Sequence, residues 1–285
     1  MLGGMHTMIF HQDRLVPTDA VRVSPFDHGL TVGDGVFESL ITYAGRPFAL
    51  RRHFERLQRS AKAMGLETPG FEQVREAVRQ VVTANDCEHA RLRLTVTRGE
   101  APLGSEHGSH GPGTFLVASA ELPQRPPLAE VHLVPWTRNE RGALTQVKST
   151  SYGENVVALA AAHARGAQEA IFLNTQGHLC EGSGSNLFLV QEGRLCTPPL
   201  SSGCLAGITR GIVLELAAVL GMPVEELPLP LAALHAASEA FLTSTFREVQ
   251  PISKVDDQVL PLGPLTLQLQ EAFRQRVLAK NPEDH

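Results

Sequence analysis

A two-domain protein of mixed α/β and α+β class is what this sequence predicts, and three observations carry that expectation. The chain has 285 residues, more than one ordinary domain of roughly 100–200 residues. Its apolar pattern switches repeatedly between the helical period and the strand period of two. The stretch ELPQRPPL at 121–128 interrupts both, because closely spaced prolines oppose helix and central strand alike. The expected division is a smaller N-terminal α/β domain at 1–120, a linker at 121–128 and a larger C-terminal domain at 129–285.

In chain order, RRHFERLQRSAKAMG (51–65) places Phe54, Leu57, Ala61 and Met64 on one helical stripe, with Gly65 as the stop. Most of its Arg and Gln side chains fall on the other face. Glu72 to Ala84 repeats the pattern with Val74, Ala77, Val78, Val81 and Val82. RLRLTVT (91–97) changes to period two and reads as a strand with one polar face. Residues 99–113 are too rich in Gly, Pro, Ser and His for regular structure and read as a mobile loop. FLVASA (115–120) resumes the sheet.

Beyond the linker the pattern predicts a strand at 131–134, then a helix from about Asn155 to Arg165 stopped by Gly166. A strand at 170–173 follows, with a turn at NTQG (174–177) and short strands up to 205. A helix at 209–220 carries Ile212, Val213, Leu216 and Leu220 on one face and ends at Gly221. A strand at 240–243 and a helix near 264–279 complete the chain, and no internal repeat is present.

Charge and cysteine usage narrow the function. With 25 basic against 30 acidic residues and a formal charge of −5, the chain lacks the basic stripe that neutralises nucleic-acid phosphates. Small molecules are the expected partners. No stretch approaches the roughly 18 apolar residues of a membrane span, and MLGGMHTMIF is no signal peptide. Cys87, Cys180, Cys196 and Cys204 form neither a CxxC pair nor a secreted framework, so reduced thiols in the cytoplasm are expected.

Four lysines make the search for an imine-forming lysine short. Lys62 lies on the outer face of its helix, Lys254 sits beside VDD in a polar turn and Lys280 is in the tail. Lys148 instead follows apolar Val147 and precedes the hydroxyl-rich STSYGEN. A partly buried lysine has a lowered pKa and serves as nucleophile or base; local context alone leaves it open between that role and ordinary surface charge. EGSGSNLFLVQEGRLCTPPLSSGCLAGITR (181–210) then supplies an acid, a glycine–serine turn, an asparagine, two strands and a Gly-Ile-Thr opening a helix. A helix N-terminus after a small residue can hold a phosphate, although Thr209 alone could be a plain N-cap. TSTFRE (243–248) offers more hydroxyls and turn amides after a strand.

With these segments in place, the chain resembles the class IV aminotransferases, the fold type IV pyridoxal-phosphate enzymes. Their members include branched-chain, D-amino-acid and R-amine aminotransferases and aminodeoxychorismate lyase. The family signature is matched by Glu181, Ser183, Asn186, Leu187, Phe188, Leu195, Thr197, Leu205, Gly207, Ile208 and Arg210. The likeness extends over DHGLTVGDGVFESL (27–40), RRHFERL (51–57), VKSTSYGENVVALA (147–160) and FLTSTFREVQPI (241–252).

The resemblance implies a larger domain that binds pyridoxal 5'-phosphate, with Lys148 holding the cofactor covalently and then moving the substrate proton. It implies that Glu181 pairs with the pyridine nitrogen and keeps it protonated. Arg52, with Arg51 as the adjacent alternative, would clamp the phosphate. Ile208, Thr209, Ser244 and Thr245 would complete the phosphate cup, and Ser185, Asn186 and Gly207 would join them around the cofactor. Phe37 and Tyr152 would line the substrate side and Phe37 and Glu38 would line or support the cofactor side, with plain core packing the alternative for Phe37 and Tyr152, and Arg98 in VTRG would trap the substrate carboxylate. Leu30 and Val32 stand where relatives often carry aromatic residues. A homodimer is implied too.

The implied reaction is transamination between an amino acid, of D-amino-acid or branched-chain type, and a 2-keto acid by a ping-pong cycle. The alternative is a lyase of the aminodeoxychorismate type, releasing pyruvate and 4-aminobenzoate. A metal-dependent hydrolase or binding module could invoke only His107 and His110, without HExxH or paired acids. No metal is expected, and no GxSxG, Walker or complete GxGxxG pattern occurs.

Overall fold

The computed structural model describes residue 4, residues 6–106 and residues 113–279. These form two compact units: 1–124 with 147–152, and 125–146 with 153–279. The segment 147–152, which the sequence reading placed in the larger domain, packs with the first unit.

The first unit contains β1 (Met8–His11), β2 (Arg14–Pro17), α1 (His28–Thr31), β3 (Gly35–Tyr43), β4 (Arg46–Pro47), α2 (Leu50–Ala63), α3 (Phe71–Ala84), β5 (Ala90–Thr97) and β6 (Phe115–Glu121). Its antiparallel sheet runs β2-β1-β6-β5-β3-β4. Strand alternation sends Leu92, Leu94 and Val96 of β5 into a core with Phe54, Leu57 and Ala61 of α2 and Val74, Ala77, Val78 and Val81 of α3. Both amphipathic helices therefore cover one sheet face with the stripes their spacing indicates. Gly65, at φ +63°, follows α2 in the left-handed region. The loop expected at 99–113 joins β5 to β6, and 107–112 lie outside the described residues.

The 147–152 segment joins the first unit through backbone bonds to the start of β3. Phe37 N–H donates to Lys148 O (3.0 Å) and Thr150 N–H to Gly35 O (2.8 Å), with a bridge between Val36 and Ser149. Gly33, at φ +71°, makes the approach feasible, since a Cβ there would overlap the Ser151 hydroxyl.

The second unit contains β7 (Ala129–Arg138), α4 (Gly153–Ala164), β8 (Glu169–Asn174), β9 (Leu179–Gly182), β10 (Asn186–Gln191), β11 (Arg194–Thr197), α5 (Ile208–Val219), β12 (Val224–Glu226), α6 (Leu231–His235), β13 (Glu239–Ser244), β14 (Glu248–Val255), β15 (Gln258–Val259) and α7 (Pro264–Leu278). Its mixed sheet runs β12-β11-β10-β13-β14-β7-β8-β9, with β15 on β14. The strands of this sheet centre are buried on both faces, as continuous apolar runs require; Phe188 and Phe241 stack with ring centres 4.9 Å apart. Lys254 lies in β14, not in a polar turn, because the hairpin to β15 turns only after Val255. No helix among the described residues is long and apolar enough to cross a membrane.

Candidate active site

In the first unit the chemistry gathers around Lys148. Its backbone N–H donates to Ser60 Oγ of α2 (3.2 Å). Its Nζ lies 4.4 Å from the centre of the Phe37 ring and 5.6 Å from that of Tyr152. The two rings meet edge to face at 5.3 Å. Aromatic faces attract an ammonium, so the two rings fix the position of the Lys148 amine.

On the core face of β3, beside Phe37, Glu38 is fully buried. Its Oε1 accepts from Arg56 Nε (2.8 Å), and its Oε2 accepts from Arg56 Nη2 (2.8 Å) and His53 Nδ1–H (2.6 Å). Burial pushes the Glu38 pKa up, but the Arg56 guanidinium and the His53 contact outweigh it and hold the carboxyl well below the usual range. His53 is pushed down by burial, against the pull of Glu38 and with the Arg56 and Lys148 charges helping. These buried polar groups interrupt the stripe of α2, whose Arg side chains were expected on the outer face. The network accounts for them: a guanidinium fork satisfied by a carboxylate can be buried.

Arg98 is held by its surroundings. Its Nε donates to Asp34 Oδ2, its Nη2 to Met64 O (2.9 Å) and its Nη1 to Gly65 O (3.3 Å). A guanidinium so occupied pins the end of β5 to the α2 terminus and leaves little donor capacity for a substrate carboxylate. Arg91 and Arg93 are the cations on the face of β5 that Phe37 shares across the β3–β5 register. The Arg93 guanidinium stacks 3.8 Å from the Phe37 ring centre, and its pKa is lowered by burial and by neighbouring Arg91. Burial lowers Arg91 as well. The signal was in the sequence: two arginines alternate with leucines in RLRL, and a polar strand face can line a site as well as meet water. Leu30 and Val32 are exposed on the same unit.

In the second unit the acid and the helix terminus come together. Glu181, in β9, accepts the Leu205 N–H on Oε2 (2.9 Å) and has Arg138 Nε 3.7 Å from Oε1. Two residues after Leu205, Gly207 is the N-cap of α5, and no side chain caps the helix. The first helical backbone bond is Gly211 N–H to Gly207 O, so the amides of Ile208, Thr209 and Arg210 precede it. A Cβ on Gly207 would overlap Asn186 Oδ1. Asn186 also donates Nδ2 to Leu205 O (2.9 Å). Its amide thus holds the 205–207 loop in place.

The Ser185 hydroxyl donates to Glu169 Oε2 (2.9 Å), while Ser183 gives both its N–H (3.0 Å) and its hydroxyl to Glu169 Oε1. The buried Glu169 carboxylate organises the glycine–serine turn from below. Arg247 Nε joins it (3.2 Å) and donates its own N–H to Ser244 Oγ (3.1 Å), so the turn after β13 is wound around that pair. Ser244 and Thr245 are half-buried there. Arg210 is buried and donates Nη2 to Pro198 O (3.0 Å). In the first unit, Arg52 sits half-buried in the first turn of α2, whereas exposed Arg51 stacks on Phe71 (4.0 Å).

All four cysteines are buried and free, with Cys204 pushed up to about 11 by burial first and the Glu181 charge second. They are poor nucleophiles at neutral pH. Among the described residues no group of three or more His, Cys, Asp or Glu could hold a metal; His107 and His110 lie outside them.

Each part a pyridoxal phosphate needs is thus present: a lysine amine against aromatic rings, a partly buried carboxylate, and uncapped helix amides with hydroxyls for an anion.

Comparison with known proteins points the same way. The family profile described as amino-transferase class IV matches residues 35–255. The D-alanine aminotransferase of Staphylococcus epidermidis is 30% identical over 278 residues, covering 95% of this chain and 98% of the relative. The aminodeoxychorismate lyase of Bacillus subtilis is 32% identical over 255 residues, covering 88% of this chain and 87% of the relative. Among solved structures, the T.th. branched-chain amino acid aminotransferase with pyridoxamine 5'-phosphate is similar at a TM-score of 0.91 and 31% identity, covering 98% of this chain and 96% of that one.

Proposed function

Because this chain belongs to the class IV aminotransferase family and is a pyridoxal-phosphate enzyme of fold type IV, we propose that it is a transaminase moving an amino group between an amino acid and a 2-keto acid. The observation that carries this reading is the Lys148 amine against Phe37 and Tyr152, with Arg93 stacked on the same Phe37 ring. When bound, the cofactor supplies an electrophilic carbon for the amino group and a ring that withdraws electrons from the substrate α-carbon. Lys148 Nζ would anchor it and later carry the α-proton. Glu181 would accept the pyridinium N–H. Arg52, the Ile208 and Thr209 amides, the Thr209 hydroxyl and the Ser244–Thr245 turn would bind the phosphate. Arg93, with Arg91 beside it, would orient the substrate carboxylate in place of Arg98. The D-alanine and branched-chain relatives support a D-amino acid or a branched-chain amino acid as donor. A homodimer working in the cytoplasm completes the reading, and light scattering should find the dimer mass.

The test is the absorption spectrum of the holoenzyme mixed with single D- or L-amino acids and no keto acid. Conversion of the lysine-bound cofactor band to a pyridoxamine band is expected, and the productive enantiomer gives the handedness. Lys148→Ala should abolish it in a folded protein. The lyase relative supports a second reading: no conversion by any amino acid, with pyruvate and 4-aminobenzoate released from aminodeoxychorismate, would replace the transaminase by the lyase.

A further inference from the structure

Arg138 closes β7 with a half-buried guanidinium. Its plane lies 4.4 Å from the centre of the Phe172 ring, and its side chain is 16% exposed. The Nη1 edge is anchored at the start of α4, donating to Glu154 Oε2 (3.1 Å) and Asn155 Oδ1 (3.5 Å). The opposite edge, Nε with Nη2, is buried and makes no hydrogen bond among the described residues. That edge is the fork by which arginine grips a carboxylate. The carboxylate it approaches is Glu181, with Nε 3.7 Å from Oε1.

A buried donor without a hydrogen bond is destabilising, more so when charged, so two of them on one fork call for a compensating interaction. The Coulomb field of Glu181 supplies it. Other contacts fix the geometry on either side: Asn155 Nδ2 donates to Ser183 O (2.6 Å), tying the α4 start to the turn after Glu181, and the Leu205 N–H holds Oε2. The fork and the carboxylate are therefore presented to each other by two independent anchors.

We propose that Arg138 is a positioning residue that holds Glu181 ionised, so that a proton shared between Glu181 and a cofactor ring nitrogen resides on the nitrogen. This rests on the reading that Glu181 meets that nitrogen. Two protonation states compete: carboxylate with pyridinium, and carboxylic acid with neutral pyridine. A fixed cation beside the carboxylate stabilises the first. An opposite charge at about 4–6 Å displaces a carboxylate by roughly 1–3 pKa units, so removing Arg138 should move this balance by about tenfold or more.

The test measures affinity of the apo-protein for pyridoxal phosphate and for its 1-deaza analogue, which has a C–H in place of the ring nitrogen. The wild type should prefer the natural cofactor. Arg138→Met should shrink that preference by about tenfold, and Arg138→Lys, which keeps a cation, should retain most of it. A role limited to folding would weaken both ligands equally and leave the ratio intact; that result overturns the proposal. A wild type without preference would instead overturn the Glu181 reading, and the proposal with it. Should Arg138→Met fail to fold, the ¹⁵N shift of ring-labelled cofactor in the wild type decides: a protonated nitrogen throughout pH 6–9 is expected, and a neutral one near pH 7 overturns the proposal.

Discussion

Two Arg–Glu pairs, one in each unit, use the same side chains to opposite ends. In the first unit Glu38 receives three charge-assisted bonds from Arg56 and His53, all at 2.6–2.8 Å, within a core of α2 and β3. In the second, the Nε–Nη2 edge of Arg138 stops 3.7 Å short of Glu181 and makes no hydrogen bond among the described residues. The closed pair is a structural rivet; a carboxylate filled on both oxygens by its own chain has no capacity for a ligand. Glu181 sits beside the uncapped start of α5, where a ligand can complete the arrangement. Charge type does not distinguish the two acids, whereas the distance at which the arginine meets each one does.

The sharpest way to break that comparison is to neutralise each acid in turn. Glu38→Gln leaves Arg56 as an uncompensated buried cation and should cost about 3–5 kcal/mol of stability. Glu181→Gln, which leaves Arg138 still bonded to Glu154 and Asn155, should cost the apo-protein less, about 1–3 kcal/mol, while weakening pyridoxal phosphate binding. Denaturant unfolding of both apo-variants checks the pair. Equal losses would mean that the Glu181 region is as much a rivet as the Glu38 cluster.

The arginines of β5 sharpen the same contrast at smaller scale. Arg98, occupied by Asp34 and two carbonyls, belongs with the closed pair; Arg98→Gln should lose about 1.5–3 kcal/mol of stability, with KM changed less than about twofold. Arg93 should behave the opposite way. Arg93→Gln should raise KM for carboxylate substrates by about ten- to a hundredfold, as loss of a charged hydrogen-bonding partner implies, at little cost in stability. Initial rates with an amino acid and its decarboxylated amine separate the two, since the amine should be insensitive to Arg93.

Much of this was legible in the sequence, and the limits have physical causes. The helices α2, α3, α4 and α5 follow from apolar spacing, with stop glycines after α2, α4 and α5, and Lys148, Glu181 and Gly207 stand out through residue type and signature. The hydrogen-bond partners of Ser185, Asn186 and Arg98 were not legible, because each is distant in sequence: Glu169, Leu205 and Asp34. The Glu38–His53–Arg56 network was hidden for the same reason, since a helical wheel places Arg56 by period and not by the carboxylate awaiting it. The return of 147–152 to the first unit was illegible too, as it rests on backbone bonds to β3 that any residue could make.

The smallest expected effect tests whether the first network is closed to protons as well as to ligands. Burial holds the His53 pKa below its ordinary value in the folded protein, so the imidazole there is neutral and donates Nδ1–H to Glu38. In the unfolded chain the same histidine takes up a proton as pH falls through about 6.5. The unfolded state then binds more protons, so stability falls with falling pH; the contribution is fully present above about pH 6.5 and is lost progressively below it. One such proton is worth up to about 1.4 kcal/mol per pH unit. Unfolding free energies measured between pH 5 and 6.5 should therefore show a shallower slope in His53→Gln, whose amide can still donate to Glu38, than in the wild type. An unchanged slope would mean that His53 is protonated in the folded core, making the cluster two cations around one carboxylate.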